Sequence, residues 1–206
     1  MDDAAAAAAL IVETGRRLDA RGLAPATAGN YSIRLADGSI AVTVSGAHKG
    51  RLTPDGVMRV DATGRPLDAK RPSAETLLHC LVYECDPGAG AVLHTHSVSG
   101  TVLSRALGDA IVLSGYELLK IFPGTDTHDT SIAIPIVDNS QDMTALAQQL
   151  RPVLAAQRPI VPAFYIRGHG LYGWGPTMDA AENMIEAIEF LLTCAWEELK
   201  REGAKR

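Results

Sequence analysis

Leu10, Ile11, Thr14 and Leu18 recur at helical spacing after a run of alanines, and Asp2 or Asp3 stands where a cap is needed. The chain therefore opens with a helix that Gly22 ends. The period then drops to two. Tyr31, Ile33 and Leu35 alternate with other residues, as do Ile40, Val42 and Val44, and Ala36-Asp37-Gly38 between them has turn chemistry. That pattern predicts a β-hairpin. Residues 57–60 predict another short strand before the turn at Ala62-Thr63-Gly64. Ser73 suits the N-cap of a helix through Leu77, Leu78, Leu81 and Val82, which stops before Asp86-Pro87-Gly88.

In the second half an apolar run leads into a strand carrying His94 and His96. A helix over 98–107, strands near 111–113 and 132–137, a helix over 143–154 and a strand over 161–166 follow. Thr177 then opens a long helix through Met184, Ile188, Leu191, Leu192 and Trp196. Strands and helices are mixed, with two hairpin-like stretches that a purely parallel sheet lacks. The expected fold is an α/β three-layer sandwich, a mostly antiparallel sheet flanked by helices, in one domain spanning 1–206.

Composition narrows the setting. With 206 residues, 47% of them hydrophobic, the chain is long enough to bury a substantial single core. A net charge of −5 argues against a nucleic-acid surface, which relies on clustered cations. No apolar run reaches the roughly 20 residues of a membrane span. The three cysteines, Cys80, Cys85 and Cys194, are odd in number and form no Cys-x-x-Cys pair, so a disulfide framework is not expected and the cytoplasm is the expected compartment.

The chemistry concentrates in the histidines. Alternate residues of a strand project from one face, so His94 and His96 can aim at one ion, and Gly168 and Gly170 let the backbone bend to bring His169 from another element. Three neutral imidazoles leave one position of a tetrahedral zinc ion open, the pattern of a catalytic rather than a structural site. Small polar segments at element edges, Thr27-Ala28-Gly29-Asn30, Ser45-Gly46 and Pro72-Ser73, suit a phosphate cradle, to which Lys49 and Arg51 add charge.

The segments Gly29-Asn30-Tyr31-Ser32, Ser45-Gly46-Ala47-His48-Lys49-Gly50, Pro72-Ser73-Ala74-Glu75-Thr76, His94-Thr95-His96-Ser97 and Gly168-His169-Gly170 resemble the class II aldolase and adducin-head superfamily. Gln141-Asp142 belongs to the same likeness, and Tyr116-Glu117-Leu118-Leu119-Lys120 and the extension Leu171-Tyr172 make the chain similar, within that superfamily, to the methylthioribulose-1-phosphate dehydratases. The resemblance implies zinc held by His94, His96 and His169, and a sugar phosphate whose phosphate lies among Asn30, Ser45, Gly46 and Ser73, to which the cradle reading adds Gly29 and Lys49. It implies a homotetramer with sites near subunit boundaries, and Glu117 as the acid/base. Ala74 departs from the Pro-Ser-Ser pattern of many aldolases and removes a hydroxyl from the cradle.

Glu75 is the rival carboxylate, because in the superfamily's aldolases the glutamate of that motif matches the general base. Two alternatives accompany the dehydratase reading: a sugar-phosphate aldolase or 4-epimerase, and a non-catalytic scaffold of the adducin-head kind. His48, His79 and the loop with Asp126, His128 and Asp129 are expected to be structural. Tyr172 and Trp174 are candidates to line the pocket for the methylthio end.

Overall fold

The strands of the computed structural model, which describes residues 3–157 and 159–203, are β1 (Asn30–Arg34), β2 (Ile40–Thr43), β3 (Val57–Val60), β4 (Ala91–Thr95), β5 (Ala110–Ser114), β6 (Ser131–Val137), β7 (Ala163–Ile166) and β8 (Gly170–Gly175). They form one sheet in the order β3-β2-β1-β4-β8-β7-β6-β5. The helices are α1 (Asp3–Ala20), α2 (Thr76–Cys85), α3 (Val98–Ala106), α4 (Met143–Ala156) and α5 (Met178–Gly203). Neighbouring strands are antiparallel except β6 and β7, which α4 joins. A parallel pair needs such a crossover.

The sheet separates two apolar cores. Ile11, Leu18, Leu103, Ile185 and Ile188, from α1, α3 and α5, pack on the face that presents Tyr31, Leu93 and Leu171. Leu78, Leu81, Leu146 and Leu150, from α2 and α4, pack on the face that presents Val42, Val92, Phe164 and Trp174. Alternation along β4 therefore sends Ala91 and Leu93 one way and Val92 the other. Both faces are covered, so β4 is buried throughout. Among the described residues no helix is long and apolar enough to cross a membrane.

The structure departs from expectation in three places. β8 is a central strand, although the glycines of Gly170-Leu171-Tyr172-Gly173-Trp174-Gly175 obscure any strand pattern. It forms because β4 and β7 flank it and satisfy its backbone. Helix α2 begins at Thr76, later than Ser73 suggests, because the Ser73 carbonyl accepts from Thr76 N and Thr76 Oγ1 in a turn that precedes the helix. Glu75 thereby occupies the N-cap position. Third, β4 ends at Thr95, and His96 lies just past it, its N–H donating to Leu23 O at 2.9 Å. Asp2, the other candidate cap of α1, lies outside the described residues.

Candidate metal centre and its pocket

β4 delivers His94 to the buried interior, where its ring stacks on Tyr172 with centroids 4.1 Å apart. Its Nδ1 bonds to Leu171 O at 2.9 Å. A carbonyl can only accept, so Nδ1 carries the proton and Nε2 keeps a free lone pair. That Nε2 is buried and has no hydrogen-bond partner among the described residues. The turn between β7 and β8 brings His169 alongside. Gly168 takes φ +66°, and a Cβ on Gly170 would stand 2.3 Å from Thr95 O, so the Gly-His-Gly segment permits an approach that larger residues forbid.

The rings of His94, His96 and His169 lie 4.5 to 5.0 Å apart by centroid. One nitrogen from each falls within 4.8 Å of the others. Burial holds the imidazolium form of His94 well below the ordinary histidine range, and the neighbouring His96 and His169 add to the effect. Burial, with His169 and Lys49, lowers His96 to about 4. Both rings are therefore neutral at pH 7, the state in which imidazole ligates a metal. Buried nitrogens without partners, and a second nitrogen anchored on a backbone carbonyl, fit a divalent cation of the zinc type.

Glu75 completes the cluster. Its Oε1 lies 3.1 Å from His169 Nε2 and its Oε2 3.5 Å from His94 Nε2. Asn30 Nδ2 donates to Glu75 Oε2 at 2.5 Å. The carboxylate reaches this point because it leaves the chain before α2 begins.

In front of the cluster opens a cavity of about 360 Å³. Gly29, Asn30, Ser45, Gly46, Lys49 and Ser73 all line it, together with Glu75, His96 and His169. Lys49 is almost fully buried and donates to Thr27 O at 2.8 Å and Ala47 O at 2.5 Å. Burial lowers its pKa to about 8, against the attraction of Glu75. The wall is thus polar, rich in donors and adjacent to three imidazoles, a combination chemically suited to an oxyanion next to a cation.

Residues 9–196 match the model of the Class II Aldolase and Adducin N-terminal domain. The chain is 56% identical over 193 residues, 92% of each chain, to methylthioribulose-1-phosphate dehydratase of Gluconacetobacter diazotrophicus. The chain belongs to the class II aldolase and adducin family, in its methylthioribulose-1-phosphate dehydratase branch. The Methylococcus capsulatus dehydratase is 49% identical over 199 residues, 97% of this chain and 96% of that one. Among solved class II aldolase structures, L-fuculose-1-phosphate aldolase of Thermus thermophilus superposes with a TM-score of 0.74 at 25% identity, over 95% of both chains.

Against that class II aldolase frame the remaining candidates fall in distinct places. Glu117 sits on a short 3-10 turn, exposed, with Oε1 2.6 Å from Lys120 Nζ and Oε2 3.7 Å from His128 Nδ1. Lys120 holds its carboxyl below the usual range. It does not line the histidine pocket of its own chain. Arg51 is exposed and outside the pocket. Tyr172 packs behind His94 rather than beside the cavity, and Trp174 Nε1 donates to Asp86 Oδ2 at 2.8 Å at the far end of β8. Trp174 and Asp86 line a larger cavity of about 470 Å³ there, remote from the histidines. Neither ring therefore serves the site as a pocket wall.

Gln141 and Met143 also line the histidine pocket, and spacing along the chain gives neither a role there. The Gln141-Asp142 motif is the one signal that points to the former. Asp142 itself caps α4, its Oδ1 accepting from Thr144 N and Ala145 N at 3.0 Å.

Proposed function

We propose that this protein removes water from 5-methylthioribulose 1-phosphate, giving 2,3-diketo-5-methylthiopentyl 1-phosphate in methionine salvage. The supporting observation is the cluster of His94, His96 and His169 opening onto a donor-lined cavity, in a chain closely similar to proteins named for that dehydration. His94, His96 and His169 hold zinc. Bound there, the ion supplies Lewis acidity that stabilises negative charge developing on the substrate's C2 and C3 oxygens.

The chain's own groups do the rest. Backbone N–H and hydroxyl donors of Gly29, Asn30, Ser45, Gly46 and Ser73 bind the phosphate, and Lys49 places positive charge in the same wall. The C3 proton is taken by a carboxylate, the C4 hydroxyl leaves with a proton as water, and the resulting enol at C3 tautomerises to the diketone. Glu117 is the acid/base. Exposed in its own chain, it acts on the site of a neighbouring copy, in a homotetramer whose sites lie at subunit boundaries. Covering it there excludes water, and that desolvation opposes the pull of Lys120 on its carboxyl.

Glu75, which touches the histidines within one chain, favours a second reading. A carboxylate at that point serves retro-aldol cleavage between C3 and C4 as readily as water loss. The two readings separate on product. Incubation with 5-methylthioribulose 1-phosphate yields the diketone in the first and dihydroxyacetone phosphate in the second, and absence of both removes the assignment. Fractionation of cells tests the cytoplasmic placement, which three free cysteines support.

A further inference from the structure

Behind the histidine cluster a line of hydrogen bonds runs from α2 across β1 and back to Glu75. The Tyr83 hydroxyl lies 2.8 Å from Ser32 Oγ, and Ser32 Oγ lies 2.7 Å from His79 Nδ1. His79 Nε2 bonds Asn30 Oδ1, and Asn30 Nδ2 donates to Glu75 Oε2 at 2.5 Å. Tyr83, Ser32, His79 and Asn30 are all buried, so the bonds among these four are shielded from water.

Chemistry gives the line a single direction. A carboxylate only accepts, so Asn30 must turn its NH₂ toward Glu75 and its carbonyl oxygen toward His79. His79 must then carry its proton on Nε2 and accept at Nδ1 from the Ser32 hydroxyl. Ser32, having spent its proton there, accepts from Tyr83. Each of the four contacts then pairs one donor with one acceptor.

We propose that His79 is a positioning residue, which locks the Asn30 carboxamide in one orientation and through it fixes how the Glu75 carboxylate faces His94 and His169. His79 does not line the cavity, and its ring meets the edge of Tyr172, which in turn stacks on His94. Without its N–H, Asn30 is free to flip and present an oxygen to a carboxylate, a repulsive contact that turns Glu75 away. The inference rests on the histidine cluster being the reaction centre, with the Glu75 carboxylate facing the substrate in the cavity it lines.

Two measurements test it. Nitrogen-15 NMR of the metal-free protein at pH 7 reads the His79 tautomer directly, and the proton is expected on Nε2 with Nδ1 bare. In kinetics with 5-methylthioribulose 1-phosphate and the zinc-loaded protein, His79→Phe is expected to lower kcat about tenfold or more, with a smaller change in KM and unchanged zinc content. His79→Gln, whose amide N–H reaches toward Asn30 as Nε2–H does, recovers most of that loss.

A proton on Nδ1 overturns the proposal, as does a His79→Phe variant with normal kcat or a His79→Gln variant impaired as much as His79→Phe. Should His79→Phe not fold, the tautomer and the His79→Gln rate decide. Should the wild-type protein form no diketone, the functional reading falls and the tautomer alone judges the relay.

Discussion

The imidazole of His94 lies nearly flat on the ring of Tyr172, with planes 15° apart and centroids 4.1 Å apart, while the adjacent Leu171 carbonyl holds its Nδ1. Stacking and hydrogen bond together leave the ring one orientation. Its bare Nε2 is thus aimed before any ion arrives, which lowers the ordering cost of ligation.

His94→Gln is therefore expected to leave the protein with substoichiometric zinc and to lower turnover about a hundredfold or more, since several kcal/mol of charge stabilisation goes with the ion. Elemental analysis of the purified variant and its rate check both. Full metal content with ordinary turnover contradicts the ligand assignment.

Glu117 faces solvent on its own chain, so its role is open to complementation between copies. Glu117→Gln and His169→Gln are each expected to be inactive alone. Co-expressed, they form mixed assemblies in which about a quarter of the sites combine an intact histidine set with an intact neighbouring Glu117. Recovered activity of that order supports delivery from another copy. None at all, in assemblies proven to be mixed, shows that Glu117 serves its own chain or no site.

Acid should destabilise the metal-free protein over a defined window. Burial lowers His79 to about 3 and His96 to about 4, and holds His94 well below its ordinary value, whereas the unfolded chain titrates these groups near 6.5. Between those limits the unfolded state binds more protons, so stability falls as pH drops below about 6.5 and continues to fall to about 3, each histidine contributing at most about 1.4 kcal/mol per pH unit. Urea unfolding at a series of pH values measures the slope. His79→Gln should make it shallower by up to one proton, and an unchanged slope would show that His79 is not buried neutral.

A separate network ties the first helix to the last. Arg17 Nε and Nη2 donate to the two oxygens of the nearly buried Glu182 at 2.7 and 2.6 Å, and Thr14 Oγ1 donates to Oε2 at 3.2 Å. Arg17→Ala leaves that carboxylate short of donors. Because Arg17 is partly exposed and water can enter, the expected cost is about 2 kcal/mol, seen as a fall in Tm of about 4–8 °C. Activity of the folded variant should be unaffected.

Much of the molecule was legible in local pattern. The alanine-rich α1, the hairpin of β1 and β2 and the long α5 follow from spacing alone, because each buries one face and its period records that face. β8 escaped for the same reason turned round. Buried on both faces and rich in glycine where α5 presses close, it has no alternation to read. The true start of α2 was hidden because Ser73 engages a turn of its own, and turn and cap use the same residue types.

The sequence by itself determined which chemistry was available: imidazoles at strand and turn positions, small polar segments and two glutamates in distinctive motifs. Only the tertiary structure decided that Glu75, and not Glu117, meets the histidines within one chain, and that His79, which reads as an ordinary core residue, stands behind Asn30. Spacing along a chain reports which face a residue occupies. Which groups meet across that face depends on strand order and helix register, and these arise from contacts between segments that no local window contains.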